Sequence, residues 1–114
     1  MSIDDKEMST DDKEQLLSVI MQLIMHGGDA KSSAMEAIHA AKAGDFELAD
    51  QKLEAADEAL VNAHHSQTGL LTQEASGESV ELSLLMVHGQ DHLMNAITFK
   101  DMAVEMVDVY RKIV

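Results

Sequence analysis

At 114 residues the chain has room for one domain and one site, and without cysteine it has no disulfide, thiolate metal centre or cysteine nucleophile. Its 8 Lys and Arg stand against 21 Asp and Glu, and the net charge of -13 repels phosphate backbones and anionic lipid. Neither nucleic acid nor a membrane surface is therefore an expected partner; a basic protein or a cation is.

No apolar run approaches the ~20 residues of a membrane span, so no direct membrane insertion is expected. Met1 to Thr10 is acidic, unlike the start of a signal peptide, which predicts a cytoplasmic location. Proline is absent and Ala, Leu, Met, Glu and Lys abound, so the chain can be almost wholly helical. Residues 1–9 carry acids without period and read as a flexible acidic tail.

Ser9-Thr10-Asp11-Asp12 offers a hydroxyl cap followed by carboxylates in the first turn, which starts a first helix over about 10–43. Leu17, Ile20, Ile24, Gly27, Ala34, Ile38 and Ala41 form its core stripe, broken where Lys31 falls on the seam. Gly27-Gly28 costs about 1 kcal/mol per glycine in a helix, yet the same phase resumes afterwards, so a close helix approach is expected there. Gly44 suits a left-handed position beyond the helix end, and Asp45 can cap the next helix.

A second helix over about 46–73 repeats Phe46, Ala49, Leu53, Ala56, Leu60, Ala63, Gln67 and Leu70 at spacings of 3 and 4. The acids Glu47, Asp50, Glu54, Asp57 and Glu58 take its other faces and read as a solvated surface. Of His64 and His65 only one can face the core, and His64, beside Ala63, is expected to do so. Glu74-Ala75-Ser76-Gly77-Glu78 reads as a turn, with Ser79 as the cap of a third helix over about 79–113. The expected fold is all-α, a three-helix up-down-up bundle.

The third helix has a seam of Leu82, Leu85, Gly89, His92, Ala96, Phe99, Ala103, Met106, Tyr110 and Ile113. A second apolar set, Met86, Leu93, Ile97, Val104, Val107 and Val114, makes the stripe wider than two neighbouring helices can cover. A symmetric homo-oligomer is the expected remedy.

The chemistry gathers in Val87-His88-Gly89-Gln90-Asp91-His92-Leu93-Met94. His88, Asp91, His92 and Asn95 share one helical stripe, while Gln90 points the other way. A carboxylate near an imidazole can fix its tautomer, leaving the other nitrogen as nucleophile or ligand. Three readings use this constellation. His88 can be the working residue that accepts and passes on a phosphoryl group. His88 and His92 can bind zinc with Asp91 as base, as in H-x-x-E-H peptidases, though Asp replaces Glu and His64 or a distant acid is the sole third ligand on offer. The polar stripe can also merely set register in a helical interaction module. His92, on the seam, reads as a core residue, and His26 and His39 carry no assigned role.

Met86-Val87-His88-Gly89-Gln90-Asp91-His92-Leu93-Met94, with Ala63-His64-His65-Ser66-Gln67-Thr68-Gly69 and Glu74-Ala75-Ser76-Gly77-Glu78, resembles the lactose/cellobiose-class IIA component of the bacterial phosphoenolpyruvate-dependent sugar phosphotransferase system. Gly28-Asp29-Ala30 and Ala43-Gly44-Asp45-Phe46 extend the likeness over nearly the whole chain. The resemblance implies a homotrimer in which three such subunits form a nine-helix bundle. It implies that His88 is the phosphorylated residue, taking phosphate from HPr and giving it to a cysteine of the IIB component for uptake of a β-linked disaccharide of the cellobiose, chitobiose or lactose class. It further implies that Asp91 faces the threefold axis and shares one divalent cation, Mg2+, with its symmetry mates. On that reading Asp91 cannot also orient His88.

Overall fold

The computed structural model describes residues 9–113; of the tail expected over residues 1–9 all but Ser9, and Val114 of the second apolar set, lie outside them. Three α-helices follow one another, α1 (Thr10–Lys42), α2 (Phe46–Ala75) and α3 (Leu84–Ile113). Ser9 caps α1, its hydroxyl accepting from the Asp12 amide at 3.0 Å, with Asp11 and Asp12 in the first turn as the dipole favours. At the other end Gly44, at φ 84°, donates to the Ala41 carbonyl while the Asp45 amide reaches Ala40 at 2.9 Å. Asp45 then accepts from the Leu48 amide at 3.1 Å, so one three-residue link ends a helix and starts the next.

Gly77, at φ 97°, repeats this device after α2. The third helix begins later than the sequence reading placed it. Ser83, not Ser79, is the cap, its hydroxyl accepting from the Met86 amide at 3.0 Å. Both serines precede apolar residues and look alike locally. What separates them is tertiary: Val80 packs against the cluster containing Leu70 and Met86 and holds the chain there outside the helix.

Cross-helix pairs give the directions. Gln67 with Gln90, Asp57 with Lys100 and Asp50 with Arg111 run α2 against α3, and Gln22 with Ser66 and Glu36 with Lys52 run α1 against α2. The bundle is therefore up-down-up, a rod of 67 × 21 × 19 Å. Helix α1 packs extensively on both others, whereas α2 and α3 meet much less and leave a groove between them.

One end of the core is built from Ile20, Leu23, Leu60, Leu70, Met86 and Leu93, the other mostly from alanines with Val107. The seam read for α2 is the observed one, with Phe46 and Leu53 half-buried and the rest buried. On α1 the phase lies slightly off: Leu23 and Ala30 are buried where Ile24 is half-buried, while Leu17 and Lys31 are exposed. Lys31 lies with its ammonium 5.9 Å from the Phe99 ring centroid, a fringe contact rather than a break in the core.

On α3 the inward set is Met86, Gly89, Leu93, Ala96, Ala103 and Val107, so Met86, Leu93 and Val107 belong to the core and not to an excess. The excess consists of Leu84, Leu85, Val87, Met94, Met102, Met106, Val109 and Ile113, together with Met21 and Met25 of α1. A continuous apolar flank of this kind is what a further helix or chain covers.

Gly27 and Gly28 lie inside an uninterrupted α1, where the helix meets α3. A Cβ on Gly27 would sit 3.3 Å from both the His92 carbonyl oxygen and its Cδ2, and one on Gly89 would sit 3.3 Å from Ile20 Cγ2. By contrast nothing lies within 4 Å of a Cβ on Gly69. Gly27→Val should therefore destabilise the chain by about 1–3 kcal/mol through overpacking against backbone. Gly69→Ala should stabilise it by up to about 1 kcal/mol. Urea unfolding of the two variants should show these opposite signs, and equal shifts would contradict the close approach.

Candidate functional site

Helix α3 carries His88 at its second turn, on a flank that also bears Asp91, His92 and Asn95. The His88 side chain is exposed. Its ring centroid lies 5.5 Å from that of His92, with the planes tilted by 36°. His92 is half-buried against the glycine pair of α1: its Nε2 lies 3.5 Å from where a Gly28 Cβ would be. It is thus neither a free surface group nor a fully buried core residue, and it backs the His88 imidazole from one side.

Asp91 does not orient His88. Its carboxylate is exposed and accepts from Asn95 Nδ2 at 3.1 Å, one turn on along the same helix, which leaves other lone pairs toward solvent. Gln90 indeed points the other way, toward α2. Gln67 Nε2 donates to Gln90 Oε1 at 2.6 Å, with the sulfurs of Met94 and Met86 at 3.8 and 3.9 Å from the two amides. Gln67 is the buried polar residue of the core, 8% exposed.

His64 and His65 are both exposed, so the expectation that His64 turns inward is corrected. The buried polar position of α2 is Gln67, which lies on the seam and has a partner on α3 to satisfy it. His64 and His65 line the α2/α3 groove, about 480 Å³, with Thr68, Val61, Ile97 and Lys100. Lys100 is clipped to Asp57 at 2.7 Å, and that hydrogen bond raises its pKa above the ordinary value. On the Lys100 side the clip therefore holds through neutral pH and weakens as pH climbs past the raised value.

Among the described residues no three His, Asp or Glu side chains gather into a group able to hold a metal. His64, on α2, lines the groove between α2 and α3, whereas His92, beside His88 on α3, faces α1, so the described residues of one chain do not bring a third ligand to the H-x-x-D-H pair of the hydrolase reading. Asp91 supplies one hard carboxylate per chain. It fits a cation such as Mg2+ only where other copies bring their own.

Residues 18–111 match the family described as PTS system, lactose/cellobiose specific IIA subunit. The lichenan-specific phosphotransferase enzyme IIA component of Bacillus subtilis is 58% identical over 100 residues, covering 88% of this chain and 91% of that protein. The crystal structure of the cellobiose-specific enzyme IIA from Bacillus anthracis superposes with a TM-score of 0.83 at 46% identity, covering 94% of each chain. A solution structure of the IIA(chitobiose)–HPr complex of the Escherichia coli phosphotransferase system matches with a TM-score of 0.75 at 35% identity, over 86% of this chain and 95% of that one.

The chain belongs to the lactose/cellobiose-specific IIA family. It is a phosphotransferase-system component, a carrier of phosphoryl groups rather than a hydrolase. No helix among the described residues is long and apolar enough to cross a membrane.

Within this IIA fold the surroundings of His88 are poor in basic side chains. No Lys or Arg occurs between Lys13 and Lys31 or between Lys52 and Lys100, the stretches that form the bundle around His88. Histidines 26, 64, 65, 88 and 92 all fall in these stretches. Side-chain cations there can come only from imidazoles.

The Gln67–Gln90 bond was missed in the sequence, although a glutamine on an apolar seam is itself a signal that a partner exists. Gln67→Leu orphans Gln90 and should cost about 1–3 kcal/mol, whereas Gln67→Leu with Gln90→Leu should recover most of that loss. A double-mutant cycle by urea unfolding measures the coupling, and strict additivity would refute it.

Proposed function

We propose that His88 is the phosphoryl acceptor of this IIA component, loaded by HPr and discharged to IIB. The observation that carries the reading is the exposed imidazole of His88 on a rigid helix, backed by His92 and open to a docking protein. A ring nitrogen attacks phosphorus in line; the new N–P bond forms as the bond from phosphorus to HPr breaks, and HPr keeps the electron pair. The onward step reverses these roles, a thiolate of IIB attacking the phosphorus on His88. In-line transfer of this kind depends on positioning and on donors to the equatorial oxygens more than on covalent help. With no Lys or Arg near His88, this chain leaves much of the neutralisation to its partners. Its net charge of -13 favours basic ones.

The assembly proposed is a homotrimer, a nine-helix bundle that covers the exposed apolar flank of α3. Asp91 of each subunit turns to the threefold axis. Three carboxylates there repel one another unless a cation or protons intervene, and a shared Mg2+ held by Asp91 from each copy would neutralise them. That role is structural and separate from phosphoryl transfer. The transported sugar is a β-linked disaccharide of the cellobiose, chitobiose or lactose class, a reading supported by the lichenan, cellobiose and chitobiose relatives. The protein works in the cytoplasm, where its partners are.

Incubation with phosphoenolpyruvate, Enzyme I and HPr should place one acid-labile phosphoryl group on His88, located by mass spectrometry. His88→Gln should abolish it and His92→Gln should retain part of it; label surviving His88→Gln would sink the assignment. Raising ionic strength should slow transfer from HPr in stopped flow, and an unchanged rate would argue against steering by charge. Asp91→Leu replaces the axial carboxylates by apolar packing, so the trimer should persist without Mg2+ in sedimentation; dissociation to monomers would contradict the axial placement.

A further inference from the structure

Three residues, Ala43 to Asp45, carry the chain from α1 to α2, whereas eight, Ser76 to Ser83, carry it from α2 to α3. The longer link makes its turn with the same left-handed glycine, Gly77 at φ 97°. Past that turn Ser79 to Ser83 hold no glycine and the chain has no proline, so nothing in this stretch bars a helix. Levels along the rod leave room for one. Gln67 meets Gln90 and Asp57 meets Lys100, so each step back along α3 matches one step forward along α2. A third helix starting at Val80 would begin level with Gly77, a helix start beside a helix end, as at Gly44.

Two starts for α3 therefore compete. The observed one is capped by Ser83, whose hydroxyl takes the Met86 amide, and its first turn holds no acid. The other would be capped by Ser79, three residues before Leu82, with Glu81 in the first turn where the dipole favours it. What opposes it is Val80, which packs from the extended link against the cluster of Leu70 and Met86. Extending α3 backward turns Val80 outward and Leu82 inward, because Leu82 then leads the buried stripe of Met86, Gly89, Leu93 and Ala96 at alternating steps of 4 and 3. Space for it exists. An opening of about 270 Å³ lies between Leu70, Leu71, Glu74, Val80 and Met86, while Leu82 stands 78% exposed at its rim.

We propose that residues 79–83 are a strap with two seatings, and that loading His88 shifts the balance between them. In the extended seating Val80 is plugged in and Leu82 displayed; in the helical one Leu82 fills the opening and Val80 is released. The effect of loading rests on the phosphocarrier role of His88 proposed above. Two features give its direction. The extended seating keeps the positive start of α3 one turn before His88, and the helical seating moves it about 6 Å further off, four residues at 1.5 Å each. The helical seating also sets Glu81 two turns before His88 on the same stripe, where its carboxylate repels a phosphoryl dianion. Loading thus favours the extended strap. A loaded carrier displays Leu82 beside the exposed Leu84 at the His88 end of the rod, and an empty one withdraws it part of the time.

Because the chain has no cysteine, Val80→Cys introduces a single thiol, which is accessible only in the helical seating. In the full chain its alkylation by iodoacetamide should be slow. Ser79→Ala should slow it by a further factor of about five, the scale of a lost helix cap, and Ser83→Ala should speed it by a similar factor. Loading with phosphoenolpyruvate, Enzyme I and HPr should slow it about two- to fivefold, the effect of a charge near a helix start. Adding His88→Gln should leave the rate unmoved by the same mixture, which separates loading from mere docking. Cα chemical shifts of residues 80–83 in the otherwise native chain should follow the same populations. A rate and shifts indifferent to both serine variants would overturn the strap. A rate unchanged by a phosphoryl group that mass spectrometry places on His88, or changed equally in the His88→Gln background, would overturn the coupling. Absence of any label on His88 would overturn the phosphocarrier assignment and the coupling together, while the two serine variants still decide the strap.

Discussion

The contact on which the site depends is the meeting of two helix backbones at glycines. Gly27 of α1 lets the His92 carbonyl approach to a distance a side chain would block, and Gly89 of α3 accepts Ile20 in return. Each glycine lowers the intrinsic stability of its helix. What is gained is position: with α3 pressed onto α1, His92 is wedged against Gly28 and the neighbouring His88 is left on an exposed edge. Larger residues at either place would push α3 outward and loosen the backing of the imidazole. The Gln67–Gln90 bond fixes the opposite flank, so α3 is held from both sides at one level.

Much of this was legible in the chain. The caps at Ser9 and Asp45 and the left-handed Gly44 are short-range signals, with the partner atom only three to five residues away, and the structure bears them out. The α2 seam was equally plain because its apolar spacing is regular. The start of α3 was not, since Ser79 and Ser83 differ only in what Val80 touches from across the bundle. The inward face of α3 was blurred for a related reason. A helix that is apolar over more than half its circumference does not reveal which part faces its own chain and which faces outward. His64 was misplaced because adjacency to a buried alanine says little when one residue is 100° of rotation.

At the site, sequence spacing put His88, Asp91 and His92 on one stripe, and the helix does so. It could not show that Asp91 would bond Asn95 instead of an imidazole, because both partners lie within one turn of it. The stretches free of Lys and Arg are visible in the linear chain, but they gain meaning only when α1, α2 and α3 are folded side by side. Local chemistry was therefore readable, while the electrostatic setting awaited the bundle.

The placement of His88 at the second turn of α3, just past its capped start, has a thermodynamic consequence. The Met86 amide is taken by the Ser83 hydroxyl and the Val87 amide by the Ser83 carbonyl, where the helical ladder begins, so the amides beside His88 are not free to grip an anion as those of a glycine-rich loop would be. On the role proposed for His88, a phosphoryl group resting there would be met by side chains and would keep much of its transfer potential. A tighter cradle would have turned a relay station into a sink.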